Sequence, residues 1–288
     1  MTKGEIKKGS GIDGLLRGCR PDQLDDAKEI EVVREADLGL LTQKYEEFLE
    51  LELNVDNVVG FTKGITEILS PEMIDVFLQS TIRYENHRIY WENTGDFISK
   101  LIQNSYNAGH NEFALNTQTL EIGYLGTRLE GTKERPIRIT ITRDVGLGCG
   151  LYSKNSIFNI QGNAGEYCGW ASENSTYNVQ GNTERSCGLY SENSTFNIQG
   201  NTDDNCGESS KNSTFNIEGN AGFGCGLDAK NSTFRTPNKE NLKKMIRDVP
   251  KTWEDPKTKE VDLSGNRVVF ISPDGTEEVM RDYDNSTD

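Results

Sequence analysis

The sequence predicts an α+β chain: an N-terminal helical domain, then a single-stranded parallel β-helix (β-solenoid) of about seven 19-residue coils, then a C-terminal helix and β-hairpin cap. Three observations predict it. Cys149, Cys168, Cys187, Cys206 and Cys225 recur at every nineteenth position without a slip, and each is followed by glycine: Gly150, Gly169, Gly188, Gly207 and Gly226. The stretches between them repeat in the same register, most clearly as Cys-Gly-x-x-x-x-Asn-Ser-Thr-Phe-Asn-Ile-Gln-Gly-Asn from Cys187 through Asn201. Inside each repeat apolar residues alternate with polar ones, as in Phe158 and Ile160, Tyr177 and Val179, Phe196 and Ile198, Phe215 and Ile217. A period of two is the pattern of a strand with one buried face.

The segment 1–21 reads as a flexible basic tail, with Lys3, Lys7, Lys8, Arg17 and Arg20 against Glu5 and Asp13, a net +3 from Met1 through Arg20. The segment 22–110 reads as a helical domain. Leu41, Tyr45 and Phe48 share one face of a glutamate-rich segment from about Asp22 to Leu53. Ser70-Pro71 is a cap followed by proline at the first helical position, and Ile74, Leu78 and Ile82 follow on one face. A third helix, about Gly95 to Ala108, carries Phe97 and Leu101 beside Ile98 and Ile102, with Gly109 at its end. These apolar stripes are expected to form the core of the domain.

The solenoid is expected over 111–236. Stepping the period backwards from the clear repeats reaches Ile139 and Ile141, then Leu120 and Ile122. Forwards it reaches Phe234, which places seven rungs between about positions 117 and 235. Phe196 and Ile198 should point inward, and Thr195, Asn197 and Gln199 outward. Gly200 is expected to turn the corner with a positive φ. Asn193 and its equivalents Asn155, Asn174, Asn212 and Asn231 should adopt a turn conformation, with scope to bond amide to amide along the axis. Over 237–288, Asn238 can cap a helix through about Asp248, and Pro250 ends it. Arg267–Ile271 with Glu277–Arg281 then frame a hairpin around Ser272-Pro273-Asp274-Gly275-Thr276. The flanks would cover end rungs whose backbone groups otherwise invite edge-to-edge pairing.

The glycine spacing Gly162, Gly165 and Gly169, followed by Tyr177 and Val179, resembles the GXGXG β-helix domain found in the glutamate synthase large subunit and in formylmethanofuran dehydrogenase. The likeness covers the solenoid alone, under half of the chain. Asn174-Ser175 and Asn193-Ser194 stand where that family usually has Gly-Gly, and Glu184 and Asp203 replace its middle glycine. The resemblance implies right-handed coils and a structural domain that packs against catalytic domains or subunits while supplying no catalytic residue. It also implies an alternative role, an accessory subunit of an oxidoreductase or amidotransferase complex whose neighbours carry iron–sulfur, flavin or molybdopterin-type cofactors. No cofactor is expected on this chain itself.

The formal net charge is −15, which disfavours nonspecific binding to nucleic acid and favours a basic protein or assembly as partner. No stretch reaches the ~20 apolar residues that span a bilayer, and the lysine-bearing N-terminus has no apolar run long enough for a secretory signal. The expected location is cytoplasmic. In that setting the cysteine ladder reads as reduced, buried thiols, since a metal site needs ligands converging on a point rather than a row. Cys19 lies outside the pattern. Asn-x-Ser/Thr triplets begin at Asn174, Asn193, Asn212, Asn231 and Asn285, and the first four are the turn motif of the repeat.

No recognisable nucleophile, phosphate-loop or dinucleotide motif accompanies the two histidines, His87 and His110. A hydrolase site in the helical domain around Glu85, His87 and His110 is the least favoured reading. The outward rows, Thr176, Thr195, Thr214 and Thr233 beside Asn178, Asn197 and Asn216, could order water or accept a sugar chain. The favoured expectation is a non-catalytic scaffold whose contacts are written where the repeat departs from itself: Trp170 and Glu208 in one column, Glu184-Arg185 and Asp203-Asp204 in another.

Overall fold

The structure, a computed structural model, describes residues 35–51, 55–118, 121–250, 252–254, 261–263 and 265–282. The basic tail 1–21 with Cys19, the segment 22–34, Leu120 and Asn285 lie outside the described residues.

Four helices come first: α1 (Glu35–Leu49), α2 (Val55–Lys63), α3 (Pro71–Thr81) and α4 (Tyr90–Asn107). Ser70 Oγ accepts from Met73 N at 3.3 Å ahead of Pro71, as the cap signal predicts. Leu41, Tyr45 and Phe48 are buried with Phe77, Phe97, Ile98 and Leu101 in one core, and the Tyr45 ring meets Phe97 edge-on at 5.1 Å. Helix α4 begins at Tyr90, not Gly95. Its preceding residue, Ile89, makes no side-chain cap, so the ordinary start signal is missing. Helix α2 has no counterpart in the sequence reading: Gly60 and several valines weaken its helical propensity.

Seven parallel strands follow, β1 (Glu112–Leu115), β2 (Ile137–Ile141), β3 (Ser156–Ile160), β4 (Thr176–Val179), β5 (Thr195–Ile198), β6 (Thr214–Ile217) and β7 (Thr233–Thr236), each paired with the next. From β2 to β7 every step is 19, giving five regular coils. The first step differs: Phe113 pairs with Ile139, a step of 26. The rung expected at Leu120 and Ile122 is therefore Phe113 and Leu115, and Ile122 is buried just ahead of a turn. Glu130 pairs with Lys154, a step of 24, so most of the inserted length lies between Glu130 and Ile137. Backward extrapolation of a fixed period cannot see such an insertion.

Each coil pairs with its neighbour along the strands and two columns of single bridges through Ala164–Thr183–Thr202 and Lys154–Glu173–Glu192–Lys211–Lys230, and the Cys-Gly corners bond as well, as from Gly188 N to Cys168 O at 2.8 Å. Inside, Phe158, Tyr177, Phe196, Phe215 and Phe234 stack face to face with centroids 4.8 to 5.0 Å apart and rings within 5° of parallel. That spacing is the strand spacing, so identical side chains at one column are forced into register. The five repeat cysteines are free and fully buried. Hydrogen bonds to the neighbouring thiols, with burial, push the Cys168 and Cys206 thiols well above the ordinary range.

Two expectations about corners change. The left-handed glycine is the one after cysteine, with φ of 70° at Gly188, where a Cβ would lie 2.6 Å from Phe215. Gly200 has no positive φ; it is glycine because a Cβ would lie 2.4 Å from the Gly181 carbonyl oxygen of the previous coil. Asn193 does take the left-handed turn, φ 51°. The amide ladder, however, runs through the outward strand row: Asn178 Nδ2 donates to Asn159 at 2.8 Å, Asn197 to Asn178 at 2.7 Å and Asn216 to Asn197 at 2.6 Å.

At the far end, α5 (Lys239–Asp248) is capped by Asn238, which accepts from Glu240 N and Asn241 N. Short strands β8 (Thr252–Glu254) and β9 (Val261–Leu263) pair with each other. Then β10 (Arg267–Ile271) joins the stack parallel to β7 and turns back into antiparallel β11 (Glu277–Asp282). The hairpin thus extends the sheet as well as closing it. Buried Asn241 and Asn266 stand in for a missing coil: their side-chain oxygens accept from Ala221 N at 2.9 Å and Ser232 N at 2.8 Å.

Candidate partner-docking site

The helical domain meets the solenoid along one face of α4. Trp91, Gly95, Ser99 and Gln103 recur at every fourth position and so share that face. Gly123 N donates to the Trp91 carbonyl at 2.7 Å, Gly126 N to Ser99 Oγ at 2.7 Å and Glu130 N to Gln103 Oε1 at 2.8 Å. A Cβ on Gly95 would lie 2.0 Å from the Gly123 oxygen, so the helix backbone rests directly on the first coil. One turn on, Tyr106 Oη donates to the Arg135 carbonyl at 2.8 Å and the Arg135 guanidinium lies 4.1 Å over the Tyr106 ring, which pins the inserted loop. Helix α4 satisfies first-coil groups that would otherwise be a bare edge.

Between this helix and the corners of the first coils lies a cleft of about 760 Å³, lined among others by Asn93, Asp96, Tyr124, Arg128, Tyr152, Tyr167 and Trp170. The indole of Trp170 sits 5.6 Å from both the Tyr152 and the Tyr167 rings. Tyr124, Arg128, Tyr152 and Tyr167 all hold the backbone in the left-handed region, with φ between 53° and 60°. Placing bulky side chains there costs on the order of 1 kcal/mol each. The equivalents of Tyr167 in other coils include Gly148 and Gly224, which carry no such penalty.

Asp96 is the electrostatic centre of the cleft. Its side chain is only 12% exposed and one oxygen lies 3.3 Å from Arg128 Nη1. Burial pushes its carboxyl up to about 6, and Arg128 offsets only part of that. Burial and the nearby Glu92 and Asp96 carboxylates raise the Tyr124 hydroxyl. Asn93 Nδ2 and Trp170 Nε1 are buried at the cleft with no hydrogen-bond acceptor among the described residues. An adjoining trench shares Glu92 and Leu147 with the cleft and adds Glu121, Asp144, Glu166 and Glu184.

The six residues singled out in the sequence fall in different places. Trp170 is in the cleft and Glu184 in the trench. Arg185 and Asp203 form an exposed pair at 3.9 Å on higher coils. Asp204 accepts from Phe223 N at 2.8 Å, a bond that serves the stack. Glu208 is half-buried, and burial with neighbouring Asp228 pushes its carboxyl up. His87 and His110 flank α4, an 18-residue helix about 27 Å long at 1.5 Å per residue, so they do not share a site. His87 Nε2 lies 3.4 Å from Glu50.

Sequence reasoning misses Asp96, Arg128, Tyr124, Tyr152 and Tyr167. The available signal is the presence of aromatic residues at corner positions that other coils often fill with glycine, serine or alanine. Among the described residues no group of three His, Cys, Asp or Glu is placed to hold a metal ion, and no helix is long and apolar enough to cross a membrane. Comparison with protein-family models, with curated proteins and with solved structures returned no match.

Proposed function

We propose that the chain is a non-catalytic docking scaffold for a larger, basic protein or assembly, with the solenoid as rigid spacer and the helix–solenoid junction as the recognition surface. The observation that carries the reading is the junction cleft, where the Tyr152, Tyr167 and Trp170 rings at the corners of the early coils converge with the poorly compensated Asp96 carboxylate of α4. Trp170 and Glu184 belong to this surface, while Arg185, Asp203, Asp204 and Glu208 lie on the coils above and would flank a bound partner. The net charge of −15 supplies long-range attraction to a basic surface.

The test is affinity purification of the tagged full chain at low and moderate salt, with mass spectrometry of what co-purifies. The expected result is a basic partner that is lost at moderate salt and lost again when Trp170 and Glu184 are replaced together. Recovery of subunits bearing iron–sulfur, flavin or molybdopterin-type cofactors, insensitive to those changes, would instead favour the accessory-subunit role.

A further inference from the structure

We infer that the junction cleft takes the guanidinium of an arginine presented by a basic segment of the partner, an inference that rests on the docking reading above. The molecule already shows the chemistry. Its own Arg128 guanidinium pairs with Asp96 at 3.3 Å and lies 6.0 Å from the centre of the Tyr152 ring. A flat, weakly hydrated cation is thus accommodated between a carboxylate and an aromatic face, the two groups that recognise arginine best.

The arrangement has room for one more cation. Among the described residues lining the cleft, Glu92 and Asp96 have Arg128 as their single cationic neighbour, so the lining is one positive charge short of neutral. Asp96 stays poorly compensated, as its raised carboxyl shows, and Arg128 is 40% exposed and held to it by one contact. The Trp170 and Tyr167 rings form a second aromatic wall beyond Tyr152. A guanidinium against that wall would lie in the same cleft as Asp96.

The surroundings suit a peptide rather than a free amine. The trench of Glu121, Asp144, Glu166 and Glu184 leads away from the cleft and would pair with further basic side chains of the same segment.

The experiment is calorimetric titration of the full chain with the capped peptide Gly-Arg-Gly-Arg-Gly and with its lysine counterpart at fixed salt. The arginine peptide should bind several-fold more tightly than the lysine one. Asp96→Asn and Trp170→Ala should each weaken it about tenfold. Arg128→Ala should tighten it, because the resident guanidinium no longer competes for Asp96; a purely structural Arg128 would give the opposite change. Circular dichroism confirms that each variant folds, and Trp170→Phe replaces Trp170→Ala if that variant does not. Glu218→Gln, on the distant strand face, should change nothing. Equal affinity for both peptides, or equal loss with Glu218→Gln, would overturn the inference in favour of diffuse electrostatics and leave the docking reading standing. Capture of a basic partner that the cleft variants do not disturb would also overturn it, whereas absence of any basic partner would count against the docking reading itself.

Discussion

In the coils between Cys168 and Phe234, the inward rings, the cysteines and the outward strand asparagines are engaged by their copies in the next coil: ring on ring, thiol beside thiol, amide to amide. At the junction of α4 with the first coil the step lengthens to 26, the columns break, and the side chains there face one another across a cleft. These columns satisfy themselves and have little left to offer a partner, although the regular coils also bury Ser172 Oγ, Thr183 Oγ1 and Thr202 Oγ1 without a hydrogen-bond partner among the described residues. Where α4 meets the early coils, a carboxylate remains underpaired and two donors lack acceptors among the described residues. Recognition is therefore expected at the interruption.

The largest effect should come from Gly95→Val, which drives a side chain into the backbone of Gly123 to Leu125. The helical signal in circular dichroism should then melt apart from, and below, the β signal; a single unshifted transition would show that the junction does not hold the two regions together. Phe196→Ala, in the regular stack, should cost about 3–5 kcal/mol in denaturant unfolding. Its ring touches partners above and below, at 4.8 Å on either side.

Asp96→Asn should move stability the other way. The folded carboxyl titrates near 6 against an ordinary 3.8, so the folded state holds the proton more tightly than the unfolded state. Stability is then highest below about pH 4 and falls as pH rises toward 6, with the full cost of the buried charge present at pH 7. The asparagine variant, free of that titration, should be more stable than the parent at pH 7 by about 2–3 kcal/mol, and the gap should close near pH 4. A thermal melt across this pH range that showed no convergence would contradict the burial argument. The smallest effect belongs to Arg185→Ala: its pair with Asp203 is exposed and 3.9 Å long, so stability should change by less than about 0.5 kcal/mol.

The solenoid is legible in the sequence because each column repeats one physical demand five times, and the alternation of Phe196 and Ile198 states the strand directly. The first rung is not, since an inserted loop leaves no periodic trace and a fixed step lands on Leu120 and Ile122 instead of Phe113 and Leu115. At Gly200 two demands select the same residue: close approach of a neighbouring coil and a positive φ both require glycine, and sequence alone does not separate them. The amide ladder is ambiguous for a similar reason, because the Asn193 and Asn197 rows both repeat every nineteen residues and only the second bonds amide to amide along the axis. Of the cleft, Trp170 is visible as a departure from its column. Asp96 and Arg128 are not, because they come from a helix and an irregular coil with no spacing between them that signals contact.

The most direct measurement is hydrogen–deuterium exchange of the full chain with and without the arginine peptide. New protection should be confined to 91–99, 123–128, 147–152 and 166–170, with the strand-face amides of 195–217 unchanged. Protection spread along the regular coils, or none at the junction, would contradict the claim that recognition sits where the repeat breaks.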